Sequence, residues 1–256
     1  RWKLRIHGQV DHELTLTYAD ILARPMIERW VTLACVSNEV GGNLISTAKF
    51  LGIRLKDLLE EVGVQSGADQ LVASSADGMT IGSPTAVVMD GRDAMLAVAM
   101  NGAPLPAQHG FPVRMVVPGL YGYVSACKWI VDLEATTFAR KQAYWVREGW
   151  VAQLPVELAA RIDTPENFAL LKPGQPVTIA GVAWDQHVGV SKVEVQVDKG
   201  DWLPARLAPV PSTDTWRQWV VAWDGATPGQ HTLTVRAYDA AGKVQDANQG
   251  GPFPCA

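Results

Sequence analysis

Long apolar segments and clusters of basic residues are both missing from this sequence of 256 residues. Apolar residues make up 48% of the chain, but charged residues interrupt their short blocks well before a bilayer is spanned, which argues against a transmembrane segment. The 22 Lys and Arg residues against 26 Asp and Glu give a formal net charge of -4. Without a Lys/Arg cluster, the sequence lacks the electrostatic pattern of a nucleic-acid or anionic-membrane binder.

Cysteine is scarce, and its spacing excludes two further classes of protein. The cysteines are Cys35, Cys127 and Cys255. An odd number without a CxxC spacing predicts neither a disulfide framework nor a structural zinc site. His7 and His12 lie near acidic residues, but strand alternation places them on opposite faces and favours a solvated strand and turn over a metal cluster. The chain opens directly on a strand pattern, RWKLRIHG, so we expect a fragment of a longer protein.

Hydrophobic periodicity divides the chain into two regions of different character. In the first, residues 45–62 carry apolar side chains at spacings of three and four, which predicts one amphipathic helix. Short apolar runs bounded by Gly, Pro, Asn and Asp predict strands around this helix, and together they indicate a loop-rich α+β domain over residues 1–160. These runs are LRIHGQV, LTLTYADI, LVASS, TAVVM, LAVAM and VRMVV.

A segment rich in turn-forming residues, 161–176, separates the first region from the second. The runs beyond it alternate with period two and predict an all-β, immunoglobulin-like sandwich over residues 165–256. The tryptophans concentrated here form either a sugar-stacking platform or part of the core, and the shared parity of Trp219 with Val221 favours the core. The predicted strands are VTIAGVAWD, VSKVEVQVD, WRQWVVAWD and HTLTVRAYD.

The segment from Met100 to Trp129 carries the clearest chemical signal. It is rich in proline and glycine, which fix the backbone, and it contains one His, one Arg and one Lys. Arg114 offers a planar fork and Lys128 a point charge, the two cationic groups that commonly hold phosphate. His109 adds a neutral donor or acceptor. The residues alone leave two interpretations open, an anion site and a structural loop.

Two motifs in the correct order resemble a known family. The string MNGxPLPxxHGFPVRxVVPGxYG followed by KW resembles the cofactor-binding segment of the sulfite oxidase and molybdopterin-dependent oxidoreductase family. Upstream, VTLACVSNEVGG resembles the family's TLxCxxN motif, with Cys35 at the ligand position and Asn38 at the matching asparagine. The resemblance covers nearly the whole chain and implies a molybdopterin-binding domain of sulfite-oxidase fold followed by an immunoglobulin-like dimerisation domain.

The resemblance implies a molybdenum-molybdopterin cofactor in which the thiolate of Cys35 is both the metal ligand and the catalytic group. A soft thiolate suits a molybdenum ion already bound by dithiolene sulfurs. Outside this context, a lone cysteine with apolar neighbours such as those of Cys35 is more often an inert buried thiol. The family needs only one protein thiolate, so we interpret Cys127 either as a residue that supports the site from behind or as a packing residue. The implied cofactor-binding residues are His109, Arg114, Ser125, Lys128, Asn38 and, on a looser alignment, Asp77.

The implied activity is oxygen-atom transfer on a small-molecule substrate, with a haem- or quinone-linked protein as electron acceptor or donor. Sulfite is not the expected substrate, because Glu39 and its neighbours replace the arginines that follow the cysteine in sulfite oxidases, and an acidic group repels sulfite. Trp150 also occupies the position of an active-site tyrosine. The alternative is a cofactor-free scaffold that keeps the fold and binds a partner. A second alternative keeps the cofactor but reduces sulfoxides or nitrogen oxides.

The resemblance also predicts the surroundings of the protein. Family members of this kind are bacterial and membrane-associated, so we expect the extracytoplasmic face of the membrane, with attachment only through segments absent from this chain. We expect a homodimer through the sandwich domain. Nucleic acid is not an expected partner.

Overall fold

The structure is a computed structural model that describes residues 2–224 and 226–247. The chain forms two compact units. The first contains residues 2–37 and Leu44–Pro155, and the second contains Asn38–Asn43 and residues 156–247. Cys255 lies outside the described residues, and the domain bounds 1–160 and 165–256 remain a prediction from the sequence.

The first unit is a mixed α+β structure, which confirms the predicted fold class. Its strands are β1 (Lys3–Gly8), β2 (Leu14–Thr17), β3 (Ile27–Ala34), β4 (Ile45–Arg54), β5 (Gln70–Ser75), β6 (Thr80–Pro84), β7 (Met95–Met100), β8 (Ala103–Pro104), β9 (Arg114–Val116) and β10 (Ile130–Thr136). Its helices are α1 (Tyr18–Leu22), α2 (Leu55–Glu61), α3 (Thr85–Met89) and α4 (Tyr144–Arg147), with 3₁₀ turns at Ala107–His109 and Gly122–Val124. One sheet has the order β2-β1-β10-β5-β6, and the other has β3-β4-β7-β8 with β9 also paired to β7.

The predicted helix over residues 45–62 is wrong in its first half. Residues Ile45–Arg54 form β4, which pairs with both β3 and β7. A Cβ atom at Gly52 would lie only 2.2 Å from the carbonyl oxygen of Leu96, so the glycine permits a close approach of the two strands. Only the part from Leu55 onward is helical, and Leu58 and Leu59 are buried there. Residues 45–54 form a strand because a neighbouring strand pairs with each of their edges. The sequence of this segment alone does not show those partners.

The run TAVVM is also not the strand that its apolar composition predicts. It forms the short helix α3, which begins directly after Pro84. Thr85 and Val88 are its buried residues, and their spacing of three places them on one helical face. Short apolar runs fit a strand and a buried helical turn equally well, so the surrounding chain decides between them.

The second unit is all-β within its described residues. Its strands are β11 (Ala159–Thr164), β12 (Val177–Trp184), β13 (Val190–Val197), β14 (Trp202–Pro204), β15 (Arg206–Leu207), β16 (Arg217–Trp223) and β17 (Leu233–Asp239). The sheets have the orders β11-β12-β16-β15 and β14-β13-β17. Alternate residues such as Ile179 and Val193 are buried between them, which confirms the predicted sandwich.

Trp219 is a core residue of this second unit and is 2% exposed. Its ring lies close to Gly181, where an added Cβ would come within 2.9 Å of the indole. The same Cβ would lie 2.0 Å from the carbonyl oxygen of Arg161, because β11 and β12 approach closely here. The core interpretation of Trp219 is therefore confirmed.

Across residues 2–224 and 226–247, no helix has the length and apolar composition that crossing a membrane requires.

Candidate functional site

Three successive carbonyl groups of the turn at residues 107–109 each accept an N–H from a different side chain. The bonds run from Trp129 Nε1 to Ala107 (2.7 Å), from Lys128 Nζ to Gln108 (3.1 Å) and from Arg114 Nη1 to His109 (3.2 Å). The two predicted cations thus converge on the turn that carries the predicted histidine. The Gly/Pro-rich segment folds back on itself and brings the side chains of Arg114 and Lys128 to the backbone of the turn that carries His109.

Gly110 makes this convergence possible. Its φ of +107° is a backbone conformation that side chains rarely adopt, and it follows directly after the 3₁₀ turn. A Cβ at this position would lie 3.0 Å from the Cβ of Arg114 and 3.1 Å from that of Lys128. The glycine therefore sets the close packing of the two cationic residues.

Arg114 is buried and has no acidic partner among residues 2–224 and 226–247. The residue is the first of β9 and is only 6% exposed. Its Nε is fully buried and has no hydrogen-bond partner in the part of the chain that the structure describes. Burial lowers the pKa of Arg114 to about 10, with Cys127 as the opposing influence. A buried guanidinium with an unused N–H is a strong donor for an anion, and a phosphate group fits that donor.

Asp77 lies beside the same cluster. The N–H of Ala76 donates to the carbonyl of Trp129 at 2.9 Å, which holds the turn of Asp77 against the KW dipeptide. The pKa of Asp77 is lowered first by its hydrogen bond with Ser75, then by the N–H of Met79, with a contribution from the positive charge of Lys128. The structure therefore brings the looser candidate Asp77 to the predicted cations.

Cys35 directly follows the last residue of β3 and is exposed. Its N–H donates to the carbonyl of Leu44 at 2.9 Å, so the backbone is fixed while the thiol stays accessible. A Cβ at Gly122 would lie 3.6 Å from the carbonyl oxygen of Ala34, the preceding residue. The end of β3, directly before Cys35, therefore lies close to the second 3₁₀ turn, Gly122–Val124.

Ser125 follows that 3₁₀ turn but has its hydroxyl in the interior. The residue is fully buried, and its Oγ donates to the carbonyls of Leu120 (3.0 Å) and Tyr121 (2.9 Å). These bonds stabilise the turn beside Ala34. The predicted contact of Ser125 with a cofactor stays a prediction.

Cys127 is a packing residue, as its sequence context predicts. It is fully buried, and burial raises the pKa of its thiol to about 12. A thiol with that pKa stays protonated at neutral pH and is a poor metal ligand. Metal ligation needs an accessible thiol. Of the two cysteines within the described residues, Cys35 is exposed and Cys127 is buried.

Asn38 lies in the short segment Asn38–Asn43, which belongs to the second unit. Its Nδ2 donates to the carbonyl of Glu39 at 3.2 Å, and its Oδ1 lies 2.9 Å from the Cβ position of Gly42. The side-chain amide of Asn38 therefore stabilises the loop in which it lies.

No group of three or more His, Cys, Asp and Glu side chains suited to a metal ion occurs in the described part of the chain. His7, one of the histidines near acidic residues in the sequence, pairs with Asp132 at 2.9 Å and is partly buried.

Two features of the first unit are not predicted from the sequence. The indole N–H of Trp129 holds the turn at residues 107–109 together with Arg114 and Lys128. The KW dipeptide is the feature of the sequence that could have indicated this role. Trp150 belongs to an aromatic cluster, with ring-centroid distances of 5.5 Å to Tyr123 and 6.0 Å to Trp145. Only the density of aromatic residues after Ala143 indicates this cluster in the sequence.

Comparisons with known proteins find relatives of both parts of the chain. A family model for the oxidoreductase molybdopterin binding domain matches residues 1–145, and a model for a bacterial Ig domain matches residues 159–235. Mouse mitochondrial sulfite oxidase is 33% identical over 76% of this chain and 43% of its own length. The uncharacterized oxidoreductase YuiH of Bacillus subtilis is 32% identical over 59% of this chain and 72% of its own length.

A solved structure is similar in fold as well. The sulfane dehydrogenase SoxCD from Paracoccus pantotrophus matches with a TM-score of 0.81 and 27% identity, over 95% of this chain and 68% of that chain. The chain spans less than half the length of the mitochondrial sulfite oxidases that it matches. The family model covers more than half of this sequence. The chain therefore belongs to the sulfite oxidase family of molybdopterin-dependent oxidoreductases, whose cofactor is molybdenum-molybdopterin.

Proposed function

We propose that the chain catalyses oxygen-atom transfer on a small-molecule substrate other than sulfite, at a molybdenum centre held by Cys35. The observation that carries this proposal is the buried guanidinium of Arg114, whose Nε has no hydrogen-bond partner among the described residues. A buried cation without an acid is costly, and an anionic cofactor group removes that cost. When bound, molybdenum-molybdopterin supplies two-electron oxygen-atom exchange, while the protein holds and orients it.

Arg114, Lys128 and His109 hold the anionic part of the cofactor in this proposal. Arg114 donates its unused Nε–H. Lys128, which is bonded to the turn at residues 107–109, adds positive charge. The hydrogen bonds of both cations to the turn at residues 107–109 fix their positions before the cofactor binds. Such preorganisation lowers the entropy that binding costs.

Cys35 supplies the protein thiolate to molybdenum. It is accessible, it sits at the end of a strand, and its backbone is held by Leu44. Soft thiolate sulfur suits this metal. Cys127 is buried and its pKa is raised to about 12, so it does not compete as a ligand.

The substrate proposal rests on the residues after Cys35. Glu39 stands where sulfite oxidases carry arginine, and it brings negative charge. An anion such as sulfite is repelled there, whereas a neutral substrate is not. A neutral oxygen-atom donor or acceptor is the class that these residues favour. The cofactor-free scaffold is not favoured, because it leaves the buried charge of Arg114 without a counter-charge.

The proposal is tested by the metal and pterin content of the full-length protein, made with adequate molybdate. We expect about one molybdenum per chain in the wild type, loss of the metal in Cys35→Ser, and retention in Cys127→Ser. The second substitution is the matched control, since it makes the same atomic change at the buried thiol. A wild-type protein without molybdenum, or equal retention in both variants, contradicts the proposal.

Substrate class is tested separately on the loaded enzyme. We expect slow or absent sulfite-dependent reduction of a dye, compared with turnover of neutral sulfoxides or nitrogen oxides. Robust turnover with sulfite would refute the argument from Glu39. The Glu39→Arg variant sharpens the test, because restoring positive charge is expected to raise sulfite turnover at least tenfold.

The proposal extends to the surroundings of the protein. We place it on the extracytoplasmic face of a bacterial membrane, as a homodimer that exchanges electrons with a haem- or quinone-linked protein. A reporter fusion that is active only in the cytoplasm contradicts the location. Light scattering of the full-length protein reports the oligomeric state.

A further inference from the structure

The segment that follows Cys35 in the sequence is anchored by an arginine of the second unit. Arg161 lies in β11, and its Nη1 donates to the carbonyl oxygen of Gly42 at 3.0 Å. Gly42 is part of Asn38–Asn43, a segment that belongs to the same unit as Arg161. We call Asn38–Asn43 the 38–43 loop. The bond joins residues 119 positions apart, so no local pattern in the sequence indicates it.

Other residues of the second unit fix the side chain of Arg161. Its Nε donates to Asp163 at 2.7 Å, and its guanidinium carbon lies 5.7 Å from the ring centroid of Trp216. The side chain is only 13% exposed, although arginine side chains usually lie at the surface. A guanidinium held in this way has lost most of its freedom, so it binds the carbonyl of Gly42 at little further cost in entropy.

Hydrogen bonds within the 38–43 loop connect Gly42 to Glu39. The N–H of Gly42 donates to the carbonyl oxygen of Glu39 at 2.8 Å, and Asn38 Nδ2 donates to the same oxygen at 3.2 Å. A Cβ at Gly42 would lie 2.8 Å from that oxygen, so a larger residue would disturb this tight turn. The backbone position of Glu39 therefore depends on Gly42, which Arg161 holds.

The carboxylate of Glu39 is exposed and, within the described part of the chain, forms no ion pair. Glu39 follows Cys35 by four positions, which limits the distance between their Cα atoms to about 14 Å. An uncompensated negative charge this close to the thiol repels an anion bound there, and the repulsion weakens as the distance grows. The strength of the repulsion therefore depends on where the 38–43 loop holds Glu39.

We propose that Arg161 is a positioning residue for substrate selection. By holding Gly42, it keeps the carboxylate of Glu39 in one place, where the carboxylate disfavours anionic substrates. This inference rests on the proposed function, which assigns the metal to Cys35 and the exclusion of sulfite to Glu39. Without the bond from Arg161, the 38–43 loop gains alternative conformations, and the repulsion is averaged over larger distances.

The anchor is tested by hydrogen exchange of the full-length holoenzyme, measured by mass spectrometry on peptides that cover the 38–43 loop. Arg161→Met keeps an unbranched side chain but removes the donor, so we expect the loop to exchange about tenfold faster. Arg161→Lys keeps a donor and should restore part of the protection. Arg217→Met is the matched control, because Arg217 donates to the carbonyls of Ala208 and Val190 in the same unit. Unchanged exchange in Arg161→Met, or equal acceleration in the control, overturns the inference.

Substrate selection is tested on the same holoenzymes, with sulfate as an anionic inhibitor of dimethyl sulfoxide reduction by a reduced viologen dye. We expect sulfate to inhibit Arg161→Met about threefold more strongly than wild type, whereas the KM for the neutral sulfoxide should change much less. In the Glu39→Gln background, Arg161→Met should add nothing, because the charge that it positions is gone. An equal effect in that background overturns the positioning role and leaves the proposed function intact. A wild-type holoenzyme that reduces no neutral sulfoxide or nitrogen oxide overturns both.

Discussion

The two units bury polar groups in different ways. In the first, Arg114 is buried with an unused Nε and, within the described residues, no acidic partner, and it is bonded to the same turn as Lys128. In the second, the buried Glu194 is bonded by Arg236 and Tyr238, so its charge is balanced within the unit. An unbalanced buried cation is rare in a structure that only supports itself. This contrast between Arg114 and Glu194 supports the proposal that the first unit holds the cofactor.

The largest effects are expected from the cores, and they separate the two units. Ile179→Ala in the second unit and Leu96→Ala in the first each remove a fully buried side chain, and we expect each to lower the free energy of unfolding by about 2–5 kcal/mol. Only Leu96→Ala is expected to reduce the molybdenum content per folded chain. Urea denaturation and metal analysis measure the two quantities. Equal loss of metal in both variants would break the division between a ligand-binding unit and a structural one.

The next largest effect is expected at the buried cation. Arg114→Leu removes a charge-assisted donor, so we expect cofactor affinity to fall about 10- to 100-fold. Because no acidic partner is left behind, the stability of the cofactor-free protein should change by less than about 1 kcal/mol. Molybdenum content and thermal unfolding measure this, with Arg206→Leu in the second unit as control. A large loss of stability in the cofactor-free variant would give Arg114 a structural role.

A smaller effect is expected from a carboxyl group of the second unit. Burial, and then the charge of Asp239, raise the pKa of Asp185 to about 6 from its ordinary value of 3.8, with Glu157 raising it and Lys243 lowering it. Because the folded pKa lies above the unfolded one, the stability that this group contributes is present below about pH 4 and is lost as the pH rises through 6.

We expect this loss to be about 1 kcal/mol, less than the pKa shift alone implies, because water screens part of the interaction. Urea denaturation of the wild type and of Asp185→Asn between pH 4 and 7 measures it. The variant should show a flatter pH dependence over this range. Identical curves would mean that Asp185 ionises in the folded protein as it does in the unfolded chain.

The smallest effect tests another buried N–H of the chain. Trp219 Nε1 in the second unit is buried and has no acceptor among the described residues, as is true of Arg114 Nε in the first. Trp219→Phe removes that donor but keeps most of the ring, so we expect the free energy of unfolding to change by about 1 kcal/mol or less. Trp219→Ala, which also removes the ring, should cost about 3–5 kcal/mol. A large cost for Trp219→Phe would mean that the indole N–H finds an acceptor.

Motif order and strand alternation predict much of the fold and of the candidate site. The order of the Cys35 motif and the HGFPVR segment indicates the family, and period-two alternation locates the sandwich strands around Ile179 and Val193. The helix over residues 45–62 and the TAVVM strand are wrong, because sheet partners and chain neighbours override local spacing. The individual roles of Ser125, Asn38 and Asp77 toward a cofactor remain predictions.

The sequence by itself determined which residue types are available: one cysteine in a ligand motif, a Gly/Pro-rich segment with His109, Arg114 and Lys128, and an alternating second half. Only the tertiary structure decided that Arg114 has no acidic partner among the described residues, that Cys127 is buried, and that aromatic residues after Ala143 stay exposed beside arginines. Patterns along a chain report local periodicity and motif order. Burial and pairing depend on contacts between residues far apart in sequence, which no local pattern contains.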